Sequence, residues 1–237
     1  MVNQIFYLIT VPMVYLAVAW CIAGIVVKVA RVASAPAHPF TLKVFPDKDH
    51  PVPSAVWGSL SMPTVRRRKP VFWVFLVLFH LGVAVLILAH LDLLPQINIY
   101  PADSEHMIGN GLVGVVVTAA ILYFLIRRFA SPLRQISVPA DYLLLFLLFC
   151  VAMSGDIISW ANSWSESGFV FTKQDFGAYL NGLVHFTWAD PGEVLDGGHY
   201  VVLVVHVFLA NLFLMVLPFS KIMHTFFAIP MNKLRRG

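Results

Sequence analysis

The sequence predicts an all-α integral membrane protein, a five-helix bundle with its N-terminus outside and its C-terminus in the cytoplasm. Three observations predict it. Of 237 residues, 59 % are apolar and only 12 % charged, where a soluble domain carries about a quarter charged residues. Mean hydropathy is +0.80. Five stretches reach the roughly 20 apolar residues that a span requires, at about 5–29, 71–94, 107–126, 141–160 and 199–220. The charges in the joining segments alternate in sign. One membrane domain over 1–237 is expected, with no separate soluble one.

The first run follows "MVNQIF", which lacks a basic n-region. The run is also too long for a signal-peptide core, so it is expected to stay as a span. Arg31, Lys43, Lys48, Arg66, Arg67, Arg68 and Lys69 lie in the next segment, 30–70. Its prolines at 36, 39, 46, 51, 53 and 63 exclude a long helix. A polar cytoplasmic loop offering a docking surface is expected there. Span two, 71–94, carries Asp92 near its end and is followed by Asp103 and Glu105. Span three, 107–126, is followed by Arg127, Arg128 and Arg134. Span four, 141–160, leads into the outer segment 161–198, with Glu166, Asp175, Asp190, Glu193 and Asp196 against a single base, Lys173. Span five, 199–220, is followed by Lys221, Lys233, Arg235 and Arg236. Basic segments face the cytoplasm, which sets the orientation.

Within the outer segment, "DFGAYLNGLVHFTW" (175–188) has helical apolar spacing, and Trp160, Trp164 and Trp188 suit the headgroup layer. It reads as a short helix on the outer surface or as an ordered loop covering the bundle. Cys21 and Cys150 both lie in spans, and no Cys-x-x-Cys occurs. The chain is therefore not expected to hold an iron–sulfur cluster or zinc ribbon alone, and no disulfide is implied. The pI near 9.2 reports membrane orientation, not nucleic-acid binding, because the basic residues are sorted by loop.

Four of the nine histidines fall at membrane depth. His80 and His90 lie in span two, and His206 and His224 lie in or just past span five. An ionisable group there is a functional candidate by default. The spans are antiparallel, so His80 pairs by depth with His224 on the inner side and His90 with His206 on the outer. The spacings of ten and eighteen residues correspond to roughly 15 and 27 Å on straight helices; tilt, and the place of His224 past its span, would absorb the difference. Eighteen residues is five whole turns, so His206 and His224 are expected on one face. His80 and His90 stand about 80° apart. Haem iron takes two axial imidazoles, and two such sites would form an electron wire. Gly82 and the glycines of "GNGLVG" (Gly109, Gly111, Gly114) would admit a porphyrin. Two other readings stay open: interhelical hydrogen bonding by each histidine, and a haem-free transporter or proton channel, to which Asp141 and Asp156 would contribute. Zinc or di-iron sites want histidines three or four residues apart, which these are not.

At these residues the chain resembles the gamma subunit of respiratory nitrate reductase, a five-span dihaem cytochrome b. "FHLGVAVLILAH" (79–90) carries that family's two histidines ten apart. "SPLRQISVPADYLLLFLL" (131–148) resembles its entry to span four. "HVFLANLFLMVLPFSKIMHTFFAIP" (206–230) resembles its last span, with histidines eighteen apart and the P-F-S-K signature. The wider family includes membrane cytochromes of sulfate-reducer redox complexes and of methanogen heterodisulfide reductase. The resemblance implies two haems b, with His80 and His224 on the inner iron and His90 and His206 on the outer. It implies a prokaryotic cytoplasmic membrane, a quinone substrate (menaquinone or ubiquinone), and cytoplasmic iron–sulfur and catalytic partner subunits. "ADSEHMIGNG" (102–111) has no lysine where the nitrate enzyme uses one near its outer quinol pocket. Glu105 and His106 stand there instead, and a histidine with an unperturbed pKa of about 6.5 suits proton transfer. Asp92 is a second candidate base, or else a solvated helix end. Arg66, Arg67 and Lys221 are the candidate partners of inner-haem propionates; for Arg66 to Lys69 an acidic partner face, or orientation alone, is the other reading. A purely structural anchor for a redox complex is a further alternative, and the direction of electron flow stays open.

The orientation has a direct test. A Ser34→Cys variant should react with a membrane-impermeant maleimide only after the cells are permeabilised, and Ala189→Cys should react in intact cells.

Overall fold

The structure is a computed structural model that describes residues 2–35, 50–97, 99, 111–164, 173–193, 195 and 200–236. Every regular element among the described residues is helical. Five helical stretches are long and apolar enough to cross a membrane: Val2–Ala33, Pro70–Asp92, Leu112–Phe129, Pro139–Trp160 and Tyr200–Phe219. They match the five expected spans.

The first span is broken. Helices α1 (Val2–Thr10) and α2 (Pro12–Ala33) meet at Val11. Pro12 has no N–H to continue the ladder, and its ring crowds the preceding turn. Carbonyls beside such a break need partners, because lipid supplies none. Asn211 Nδ2 donates to Ile9 O at 3.0 Å, and the Tyr179 hydroxyl donates to Thr10 O at 2.6 Å. Asn211 is thus committed to helix packing.

The remaining spans are α5 (Pro70–Asp92), α6 (Leu112–Phe129), α8 (Pro139–Trp164) and α10 (Tyr200–Val216). The main packing runs α2 on α10, α10 on α8, α8 on α6 and α6 on α5. The two histidine-bearing helices, α5 and α10, are therefore linked through α6 and α8. Two glycines permit this order. A Cβ on Gly82 would strike Val117 of α6, and one on Gly114 would strike the Asp156 carboxylate of α8. Among protein atoms the closest neighbours of both are other helices, so they serve helix–helix approach. Gly109 lies outside the described residues.

In the segment between the first two spans, the described prolines start two short helices. Helices α3 (Pro51–Ser61) and α4 (Pro63–Arg68) each carry proline in the first turn, where its missing N–H has no ladder partner to lose. Helix α7 (Leu133–Ile136) precedes α8, and α11 (His224–Arg236) packs against α3.

Between the last two spans, α9 (Lys173–Val184) is packed into the bundle. Phe176 of α9 joins Ile158, Leu195 and Leu203 in one apolar cluster. Burial pushes the Tyr179 phenol well above its usual range, which keeps it a hydrogen-bond donor to the broken span. Trp188 lies against the Tyr15 ring at 4.7 Å between centres. Asp92 is not a solvated helix end. It is 1 % exposed, and its carboxylate meets Lys173 Nζ at 3.0 Å. Removing one member of a buried ion pair costs about 3–5 kcal/mol. Asp92→Leu or Lys173→Met alone should therefore lower stability in detergent by about that amount, and the double variant by less than either single change. Thermal unfolding of the three proteins checks this.

Candidate functional site: two facing histidine pairs

The four histidines at membrane depth converge in two pairs. His80 of α5 faces His224 at the start of α11, with ring centres 6.1 Å apart and planes at 82°. His90 of α5 faces His206 of α10, with ring centres 6.3 Å apart and planes at 20°. This is the pairing that depth alone had suggested.

The spacing has chemical content. An imidazole–metal bond is about 2.0–2.1 Å and a ring nitrogen lies roughly 1.1 Å from its ring centre, so two imidazoles across one metal ion put their centres about 6.2–6.4 Å apart. The His90–His206 pair, at 6.3 Å, is at that separation, and the His80–His224 pair, at 6.1 Å, is just below it. Direct imidazole–imidazole hydrogen bonding would bring the rings closer.

The ring nitrogens are sorted as well. Nδ1 of His80 lies 2.6 Å from Leu76 O, Nδ1 of His90 lies 2.7 Å from Leu86 O, and Nδ1 of His224 lies 2.9 Å from Lys221 O. A carbonyl only accepts, so these Nδ1 atoms carry the proton and Nε2 keeps its lone pair. The fourth histidine reaches the same state by another route. His206 Nδ1 lies 2.9 Å from Ser154 Oγ, and that hydroxyl donates to Val151 O at 2.9 Å. With its own proton committed, the Ser154 oxygen accepts from His206. All four rings thus offer Nε2 as a ligand atom, oriented by the bond at Nδ1. Among the described residues no three His, Cys, Asp or Glu side chains converge as a metal-binding cluster.

The inner pair depends on a break in the last span. Helix α10 stops at Val216, and two 3₁₀ turns, Leu217–Phe219 and Lys221–Met223, flank an extended Ser220. Pro218 ends the α-helical ladder, and Ser220 Oγ accepts from Ile222 N at 3.1 Å to start the next turn. His206 and His224 are therefore not five turns apart on one helix. The expected shared face is replaced by a bend, and the bend removes the mismatch between the 10- and 18-residue spacings.

A buried carboxylate holds that bend. Asp141, 4 % exposed, meets Lys221 Nζ at 2.7 Å and Arg128 Nη1 at 3.2 Å, and accepts from Val138 N at 3.3 Å. Lys221 Nζ, expected to meet a propionate, is thus engaged by Asp141, while Lys221 O orients His224. Asp156 accepts from Thr118 Oγ1 at 2.6 Å between α8 and α6. Arg66 and Arg67 are exposed on α4. Glu105 and His106 lie outside the described residues.

Sequence reasoning missed Ser154 and Gly155. A Cβ on Gly155 would come within 3.3 Å of the His206 ring, so the absent side chain leaves room for the imidazole. The small, polar "SGD" at 154–156, on a span next to a histidine-bearing one, was the available signal.

The model of the nitrate reductase gamma subunit family matches residues 56–237, which include both histidine pairs. The chain belongs to the nitrate reductase gamma subunit family. It is 27 % identical over 164 residues to the Hdr-like menaquinol oxidoreductase cytochrome b-like subunit of Archaeoglobus fulgidus, covering 64 % of this chain and 46 % of that one. The protein of the same description from Archaeoglobus profundus is 26 % identical over 163 residues, with the same coverage. The chain thus spans about half the length of these curated relatives.

For this gamma-family chain, Asp141→Asn should lower stability by about 1–2 kcal/mol, the range for charged hydrogen bonds beside partly exposed partners. Lys221→Met should cost less, because Asp141 keeps Arg128 and Val138 N. Chemical denaturation in detergent distinguishes the two.

Proposed function

We propose that the chain is a dihaem membrane cytochrome b subunit of a quinone-linked oxidoreductase complex. The observation that carries this reading is the geometry of the two histidine pairs: ring centres 6.1 and 6.3 Å apart, with every Nδ1 bonded and every Nε2 available. Family membership supports it. Haem bound at both pairs would supply one-electron transfer between the two leaflets. His80 and His224 hold the inner iron, and His90 and His206 the outer. The hydrogen bonds at Nδ1 fix each ring and raise its basicity.

The remaining assignments follow from chain order. The segment joining α5 to α6 lies on the outer side with His90, and it carries Glu105 and His106. Oxidising a quinol there releases two protons and two electrons. His106 and Glu105 accept the protons and release them outside, and the electrons leave through the inner site to a cytoplasmic iron–sulfur partner with its catalytic subunit. Arg66 and Arg67 meet propionates or an acidic partner face at the inner surface. The chain is a single multi-pass domain of a prokaryotic cytoplasmic membrane, N-terminus out and C-terminus in. Similarity to the two Archaeoglobus Hdr-like menaquinol oxidoreductase subunits favours menaquinol, and an Hdr-like partner over a nitrate-reducing one.

The test is haem stoichiometry. The purified chain should contain two non-covalent haems, with bis-histidine reduced-minus-oxidised bands. His90→Ala and His224→Ala should each retain about one, lost from the outer and inner sites respectively. A chain without haem contradicts the proposal.

A further inference from the structure

The two histidine pairs differ in one side chain. Both inner histidines hydrogen-bond backbone carbonyls through Nδ1, at Leu76 and Lys221. In the outer pair His90 does the same at Leu86, but His206 bonds the hydroxyl of Ser154. Ser154 is 6 % exposed, and it sits on α8. Its hydroxyl is oriented: it donates to Val151 O at 2.9 Å, so it faces His206 as an acceptor. Gly155, the next residue, lets the ring lie against the helix.

We infer that Ser154 is the positioning residue of the outer site, holding the His206 ring through Nδ1 and setting the electron-transfer midpoint there independently of the inner site. The inference rests on the dihaem reading above. Its basis is the hydrogen bond at Nδ1. The more strongly an acceptor draws on Nδ1–H, the more electron density the ring delivers through Nε2, and the more the oxidised metal is favoured. A hydroxyl is a weaker acceptor than an amide carbonyl. A backbone carbonyl survives any substitution at its own residue. Ser154 Oγ can be removed by one, which makes it a handle that evolution can turn at one site alone.

The experiment is an equilibrium redox titration of the purified full-length protein, following the two haems separately by their visible bands. In Ser154→Ala, His206 loses the hydroxyl that its Nδ1 meets. The ferrous-to-ferric ratio of the outer haem at fixed ambient potential should rise three- to tenfold, a tenfold change being about 59 mV for one electron. The inner haem should not shift. Ser154→Thr keeps the hydroxyl and should titrate like the wild type at both sites. A Ser154→Ala protein that loses only the outer haem, beside a Ser154→Thr protein that keeps both, also supports the positioning role. Equal shifts at both haems, no shift at either, or a Thr variant that behaves like Ala overturns the inference while leaving the dihaem reading intact. A wild-type protein with no haem overturns the dihaem reading and this inference with it.

Discussion

An imidazole inside a membrane has two ring nitrogens and no water for either. One must donate and the other must accept. Much of this structure follows from that constraint. At His80 and His90 the donor is satisfied within α5 itself, by the carbonyl one turn back. At His224 it is satisfied by a 3₁₀ turn, and at His206 by a neighbouring helix. With Nδ1 donating, the second nitrogen of each ring keeps its lone pair. A helix-packing role leaves that spacing without a reason, because rings bonded to each other would sit closer than 6.1 and 6.3 Å. The proposed iron between each pair would account for it.

The same rule governs the backbone. Both spans that carry an internal proline, at Pro12 and Pro218, expose carbonyls or end a ladder at membrane depth, and each break is met by a polar group from elsewhere. Asn211 and Tyr179 close the first. Lys28 Nζ donates to Pro218 O at 3.2 Å at the second. The second break also has a functional consequence, since it brings His224 to the level of His80. Asp141 stabilises that turn from α8 through Lys221, and Lys221 in turn orients His224. The inner pair therefore depends on a carboxylate that need not touch either ring.

The spans and the pairs were legible because they depend on quantities a single sequence contains. Hydropathy marks the spans, and chain direction with residue count places each histidine in a leaflet. What was not legible depends on helix rotation. Span two is apolar around its whole circumference, so no stripe indicates which face meets α6. That Gly82 receives Val117 was accordingly not legible. Asp92 looked like a solvated end because its partner, Lys173, is far along the chain and on a segment whose burial hydropathy does not reveal. The bend at Ser220 was hidden because a proline near a span end reads equally as a terminus or a kink. Ser154 carried only the weak signal of a small polar residue in a span. Glu105 and His106 fall outside the described residues, and their assignment rests on sequence position.

The central claim is that each iron takes two imidazoles, one from each facing helix. Electron paramagnetic resonance of the oxidised, purified protein tests it most directly. Two axial imidazoles give low-spin ferric iron. One imidazole with an open or water-filled sixth position gives a high-spin signal. The account predicts two low-spin species and no stoichiometric high-spin signal. A high-spin signal accounting for either haem would contradict it.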